Sequence, residues 1–286
     1  MNTKKTTALP SGAATPWILA ALMLAGCNPV TDQKHAADKT VRISIVGSST
    51  MSPLLSEMGK AYEQETLGTR SDVQSGGSSR GVMDVRAGTA ALGMVSRELK
   101  ADEGDLHNVL IARDGIGMIV NADNPVTGLS KKQVIDIYTD QITNWKDVGG
   151  DDLAITVVSK AEGRSTLEVF SDYFGISYRQ IRADVIIGDN QQGIQTVGSS
   201  VAAIGYVSIG SAEYEAEQGA AIRLIALDDQ FPSTESVASG NYQISRELNL
   251  VYKEPITEQV RDFLTFTRSS KAAELVSRMY FIPVTP

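Results

Sequence analysis

Four short segments of this chain combine hydroxyls, glycines and basic side chains: Gly47 to Met51 (GSSTM), Gly77 to Arg80 (GSSR), Ser96 with Arg97, and Lys160 to Thr166 (KAEGRST). The first, second and fourth lie between an apolar run and a helix-like stretch. The unpaired amide N–H groups of a first helical turn would sit beside those hydroxyls and point beyond the strand end. Together the four segments suit recognition of a tetrahedral oxyanion. A micromolar dissociation constant needs about −8 kcal/mol net, and each hydrogen bond to a charged group contributes about 1.5 to 3 kcal/mol, so several such bonds suffice after the ordering cost. Arg164 can give two parallel N–H contacts where Lys160 offers a point charge, and is expected to weigh more. Taken singly, Ser49 or Ser52 also serves as an ordinary helix cap and Gly76-Gly77-Ser78-Ser79 as an ordinary turn. The anion reading rests on recurrence.

The elements that must position these segments follow from periodicity. Val41 to Val46 reads as a strand, with Gly47 as its break and Ser52-Pro53 as a helix start. A helix is expected to about Leu67, then a strand over 71–74, a helix over 82–87 and a strand over 91–95. Residues 106–112 and 115–121 read as two strands separated by Arg113-Asp114. Ser130 starts an amphipathic helix, 143–150 is a turn-rich loop in which Trp145 is a packing residue, and 155–158 is a strand leading into a helix over 167–174. Further on, 189–199 is helical, 203–209, 222–227 and 248–252 are strands, and 256–267 and 271–278 are helices. Strands alternating with helices predict an α/β fold with mixed, mostly parallel sheets, in which ligands bind beyond the carboxyl ends of the strands. The expected layout is two lobes with the ligand cleft between them: 41–118 plus 207–286, and 119–206, crossing near 117–121 and 205–208.

The first 26 residues stand apart. Lys4 and Lys5, the apolar run Trp17 to Ala25 and the small residues before Cys27 describe a secretory signal, and the run of about nine apolar residues is too short to span a bilayer. Cys27 is the only cysteine, so no disulfide forms within the chain. Leu24-Ala25-Gly26-Cys27 resembles a bacterial lipobox, which implies cleavage of 1–26, lipidation of Cys27 and a tether over 27–40; a plain signal peptide is the alternative. Without residues 1–26 the chain has 24 basic and 34 acidic residues, a net charge of −10. That argues against nucleic acid or an acidic membrane surface as partner. A small anion among amide dipoles is unaffected, because its immediate donors outweigh screened surface carboxylates.

The residue inventory disfavours an enzyme. His35 lies in the tether and His107 within a strand, and there is no G-x-S-x-G, P-loop, G-x-G-x-x-G or His/Cys metal spacing. No cofactor or metal is expected.

In order along 41–286, GSSTMSPL, SGGSSRG, ALGMVSRELK, DGIGMIVNADNPV, ITNWKDVGG, AIGYVSIG and FIPV resemble the phosphate-binding proteins of bacterial ABC phosphate transporters. The resemblance implies a type II periplasmic-binding-protein fold that clamps phosphate between lobes and delivers it to a membrane permease. It also implies a monomer in the periplasm or at the cell surface. The family's phosphate contacts fall on Thr50 and the Met51 amide, on Ser78, on Ser96 and on Lys160 to Thr166. The candidate ligand set is Ser49, Thr50, Met51, Ser78, Ser79, Ser96, Asp114, Lys160, Gly163, Arg164, Ser165 and Thr166.

Two departures from the family pattern bear on specificity. Ser96 stands where some members carry an Asp that accepts the phosphate proton, and Lys160, Arg164 and Ser165 replace a commoner Arg, Ser and Gly. Asp114 or Glu162 is the expected substitute acceptor. The same fold binding sulfate or molybdate, a surface phosphate sensor or adhesion factor, and a phosphate-ester hydrolase are the alternatives.

Overall fold

The computed structural model describes residues 40–284; the signal segment, Cys27 and nearly all of the tether lie outside the described residues. The chain opens with β1 (Val41–Gly47), α1 (Ser52–Glu65), β2 (Thr69–Ser75), α2 (Ser78–Arg86) and β3 (Leu92–Val95). Ile43 and Ile45 on β1 alternate inward and are fully buried. A short 3₁₀ turn at Ala101–Glu103 leads to β4 (His107–Asn121), β5 (Gly128–Leu129) and α3 (Lys131–Tyr138), the last opened by a capping box between Ser130 and Gln133. Then come β6 (Thr156–Lys160), α4 (Ser165–Phe174), β7 (Val185–Ile187), α5 (Asn190–Gly198), β8 (Ala203–Ser208) and α6 (Ile209–Glu217). The chain finishes with β9 (Ile222–Leu224), β10 (Ala226–Leu227), α7 (Thr234–Ala238), β11 (Ser245–Tyr252), α8 (Glu258–Phe266), α9 (Ser270–Arg278) and β12 (Ile282–Pro283).

The main sheet runs β2-β1-β3-β11-β4-β8-β6-β7. Its outer parts are parallel, as helical crossovers require, and its middle is antiparallel, where β11 pairs β3 and β4 and where β4 pairs β8. This is the α/β fold expected. In place of two strands broken at Arg113-Asp114, β4 is one strand of 15 residues. The buried Asp114 carboxylate is neutralised across the sheet by Arg246, so a charge at mid-strand does not force a turn. The expected strand over 203–209 ends at Ser208, whose hydroxyl accepts from the Ser211 amide and caps α6.

One apolar core joins β1, β3 and β11 to α1, α8 and α9 through residues such as Ile43, Leu54, Met58, Leu250 and Phe263. Another surrounds the second half of β4 and includes Ile119, Tyr138, Phe170 and Val207. Ile209, Ala212, Ile222, Leu224, Val237 and Ile244 belong to this second core, so most of 207–244 packs with it. Trp145 is buried there, and its indole N–H donates to the Ala202 carbonyl at 2.8 Å, as expected of a packing residue. Among the described residues no helix is long and apolar enough to cross a membrane.

Candidate anion-binding site

The strand ends deliver the hydroxyls. After β1 the chain turns at Gly47, whose φ of 142° and closeness to β3 leave no room for a side chain: a Cβ there would lie 2.3 Å from the Met94 carbonyl oxygen. The turn buries Ser48 and Thr50, and Ser48 Oγ accepts from the Thr50 amide at 3.2 Å and donates to Ser96 Oγ at 2.9 Å. No side chain caps α1, so neither Ser49 nor Ser52 acts as a plain cap. Ser78 opens α2, is buried, and accepts from the Ser96 amide at 3.1 Å. Three of the four segments therefore meet beside the first core and the smaller apolar cluster of Val46, Val82, Val85 and Val95.

The fourth comes from the second core. A Cβ on Gly77 would stand 2.8 Å from the Gly163 carbonyl oxygen, so the loop over 160–166 lies directly against the α2 start. Ser165 and Thr166 form the buried first turn of α4. Ser165 Oγ is buried with no hydrogen-bond partner, an unsatisfied group of the kind a ligand completes.

Arg246 ties the set together. It lies on β11 directly opposite Asp114 on β4. Its Nε and Nη2 donate to Asp114 Oδ2 at 3.0 and 2.7 Å, while Nη2 also reaches Thr50 Oγ1 at 3.0 Å and Nη1 reaches Thr166 Oγ1 at 3.0 Å. Ser96 Oγ is 3.5 Å from Nη1. The guanidinium and the carboxylate are each only 1% exposed. Sequence reasoning missed Arg246 because the strand was expected to begin at Leu248; the signal was a lone Arg next to an apolar strand.

Lys160 is buried at the end of β6, and its Nζ donates to the Asp189 carbonyl at 2.7 Å and to Asn190 Oδ1 at 3.0 Å. Burial pulls its pKa down from 10.5 to about 7; Asp189 opposes that shift, while Arg246 and Arg164 reinforce it. Asn190, also absent from the expected set, donates to Thr50 Oγ1 at 3.0 Å, which adds the start of α5.

Thr50, Ser96, Asp114 and Thr166 thus reach Arg246 directly, and Met51, Ser78, Lys160 and Ser165 of the expected set are buried as well. The rest of the expected set is placed differently. Ser49 is half-buried and lines a groove of about 230 Å³ beside Thr50 and Asn190. Ser79 faces Glu168, with 3.5 Å between Oγ and Oε1. Gly163 and Arg164 are half-buried, and the Arg164 side chain runs from Gly77 toward Gly188. Glu162 is exposed, and Asp114 stands behind the Arg246 guanidinium. No group of three His, Cys, Asp or Glu suited to a metal occurs among the described residues.

An α/β chain with two large cores, which brings helix starts, hydroxyls and buried cations from both to one point, has the design of a two-lobe anion-binding protein. The chain belongs to the PBP superfamily, whose domain description it matches over residues 33–271. A Clostridium perfringens protein assigned as a phosphate ABC transporter substrate-binding protein, solved with bound phosphate, superposes with a TM-score of 0.80 at 31% identity, over 85% of this chain and 100% of that one. The phosphate-binding protein PstS of Borreliella burgdorferi is 25% identical, over 85% of this chain and 90% of its own. That of Bacillus subtilis is 26% identical, over 94% and 92%.

Proposed function

We propose that the chain is a substrate-binding protein, not an enzyme, which holds inorganic phosphate between its two cores and passes it to the permease of an ABC importer. The observation that carries this reading is Arg246, a buried guanidinium reaching hydroxyls of both cores, Thr50 and Thr166, beside the unpartnered Ser165 Oγ. The names of the similar proteins support the same ligand. Thr50, the Met51 amide, Ser78 and Ser96 hold the anion from one side, and Lys160, Ser165 and Thr166 from the other. Asp114 acts through Arg246, fixing its orientation, and the hydroxyls of Ser96 and Ser165, which accept as well as donate, accept the hydrogen bond of the phosphate O–H.

In place of the expected 41–118 plus 207–286 and 119–206, the lobes are 41–115 plus 245–284, and 116–244, with 207–244 assigned to the second lobe because Ile209, Leu224, Val237 and Ile244 pack with its core. Both crossings then run side by side at Asp114 and Arg246. Closure is driven by the ligand's higher affinity for the closed arrangement. Outside the described residues, Cys27 carries the lipid that holds a monomer at the cell envelope; loss of palmitate labelling in Cys27→Ser, with release of the protein, is the expected result.

Isothermal titration of the chain from Asn28 onward, with phosphate and then with excess sulfate, tests the ligand. Tight phosphate binding that sulfate does not displace is expected. Sulfate or molybdate binding in its place would assign the fold to another oxyanion. Impaired phosphate uptake on gene deletion separates import from sensing.

A further inference from the structure

Glu168 lies two residues after Thr166, in the first turn of α4, whose Leu167, Phe170 and Phe174 belong to the second core. Its partners belong to the other side. Arg97 directly follows Ser96, and Arg97 Nε is 2.8 Å from Glu168 Oε2, with Lys100 Nζ 3.1 Å from the same oxygen. Arg97 is also held within its own segment: Nη1 and Nη2 donate to the two Glu103 oxygens at 2.7 Å each, and the Lys100 amide donates to Glu103 at 2.8 Å. Arg97 and Glu103 are 6% and 5% exposed.

The two halves of this network differ in kind. The Arg97–Glu103 fork is bidentate and aligned, so Arg97 stays neutralised whatever Glu168 does. The Arg97–Glu168 contact is short but off-line: neither Arg97 Nε nor Glu168 Oε2 completes a directed hydrogen bond. Attraction between these two is therefore chiefly Coulombic. Oε2 is buried in the contact, but the Glu168 side chain as a whole is 23% exposed and borders a groove of about 670 Å³, so water reaches the carboxylate once the contact parts. An interaction that costs little to break, set beside two anion contacts, serves as a releasable catch.

We propose that Glu168, with Arg97 and Lys100, is an electrostatic latch between the lobes that sets phosphate affinity without touching phosphate. It rests on the two-lobe binding function proposed above. The latch raises the fraction of molecules already closed, and apparent affinity scales with that fraction. Screening weakens it, because Lys100 and Glu168 both reach solvent.

The test compares wild type with Glu168→Gln, which keeps the shape of the side chain and leaves Arg97 paired with Glu103, so folding is retained. Phosphate titration at low and high sodium chloride is combined with X-ray scattering of phosphate-free protein. Glu168→Gln is expected to weaken phosphate binding about three- to tenfold through faster dissociation, to flatten the salt dependence, and to enlarge the phosphate-free radius of gyration. Lys100→Met should produce a smaller change in the same direction. Equal affinity, salt slope and radius of gyration in wild type and Glu168→Gln would overturn the latch while leaving phosphate binding intact. If wild type binds no phosphate, the ligand proposal fails, and scattering alone still decides the latch: unchanged dimensions in the variant would reject it.

Discussion

Arg246 and Asp114 are cross-strand partners on β11 and β4, buried to 1% exposure, where the two strands pass between the cores. Such a pair is a weak source of stability, because desolvation offsets most of its attraction, but removing one member leaves an uncompensated charge. Its value lies in holding a cation at the meeting point of Thr50, Ser96 and Thr166.

Arg246→Met should therefore lower both binding and stability. The anion takes over the Nη1 and Nη2 donors that reach Thr166 and Thr50 in the phosphate-free protein; loss of those two charged hydrogen bonds, each about 1.5 to 3 kcal/mol, predicts about a hundredfold or more weaker phosphate binding. The orphaned carboxylate predicts about 3 to 5 kcal/mol lower stability. In the double variant Asp114→Asn/Arg246→Met most of the stability should return and none of the affinity. Chemical denaturation and calorimetry read the two effects separately; recovery of binding in the double variant would remove Arg246 from the site.

Ser165 predicts the opposite split. Its buried hydroxyl has no partner, so Ser165→Ala removes a desolvation cost of about 1 to 3 kcal/mol. The variant should melt at or above the wild-type temperature while phosphate affinity falls about tenfold, the loss of one charged hydrogen bond. An unchanged dissociation constant would show that Ser165 Oγ does not face the ligand.

Much of this arrangement was legible in the sequence because it is local. A glycine after a β-branched run, a Ser-Pro helix start and apolar periodicity each depend on neighbours within a turn, and β1, α1, β3, β6 and α4 appear where those signals lie. What was not legible depends on pairing between distant segments. Arg246 fell outside every expected element until β11 was set against β4, and Asp114 was expected between two strands for the same reason. Asn190 carried no signal at all; only the approach of the α5 start to Thr50 gives it a partner. Arg164 was expected to outweigh Lys160 on guanidinium geometry, yet Lys160 is the buried one.

Gly77 makes the meeting of the cores testable. Its φ of 94° and ψ of 154° fall in a region reserved to glycine, and a Cβ would strike Gly163 at 2.8 Å and Arg164 Cδ at 3.0 Å. Gly77→Ala should cost about 1 to 3 kcal/mol of stability through strain. Because the clash is with the opposing loop, phosphate binding should weaken by more than tenfold, and scattering should show no compaction on phosphate addition. Normal compaction in the variant would mean that Gly77 and Gly163 part without consequence.

Lys160 gives the site a pH dependence whose sign follows from its burial. The unfolded lysine keeps its proton to its ordinary 10.5, whereas in the folded protein it releases it at about 7. Between those values the unfolded chain binds more protons, so this residue makes stability rise with pH from about 7 to about 10.5; below 7 the cost of the buried ammonium is borne in full. A bound dianion favours the ammonium and draws the pKa back up. Phosphate binding at about pH 8 should then be accompanied by uptake of a proton at Lys160, and affinity should decline as the pH rises further. Calorimetry in two buffers of different ionisation enthalpy counts that proton. Lys160→Met should show less uptake than wild type and a flatter decline in affinity above pH 7. Identical proton counts in the two proteins would mean that Lys160 holds one charge state throughout and that the anion is balanced by Arg246 and the hydroxyls alone.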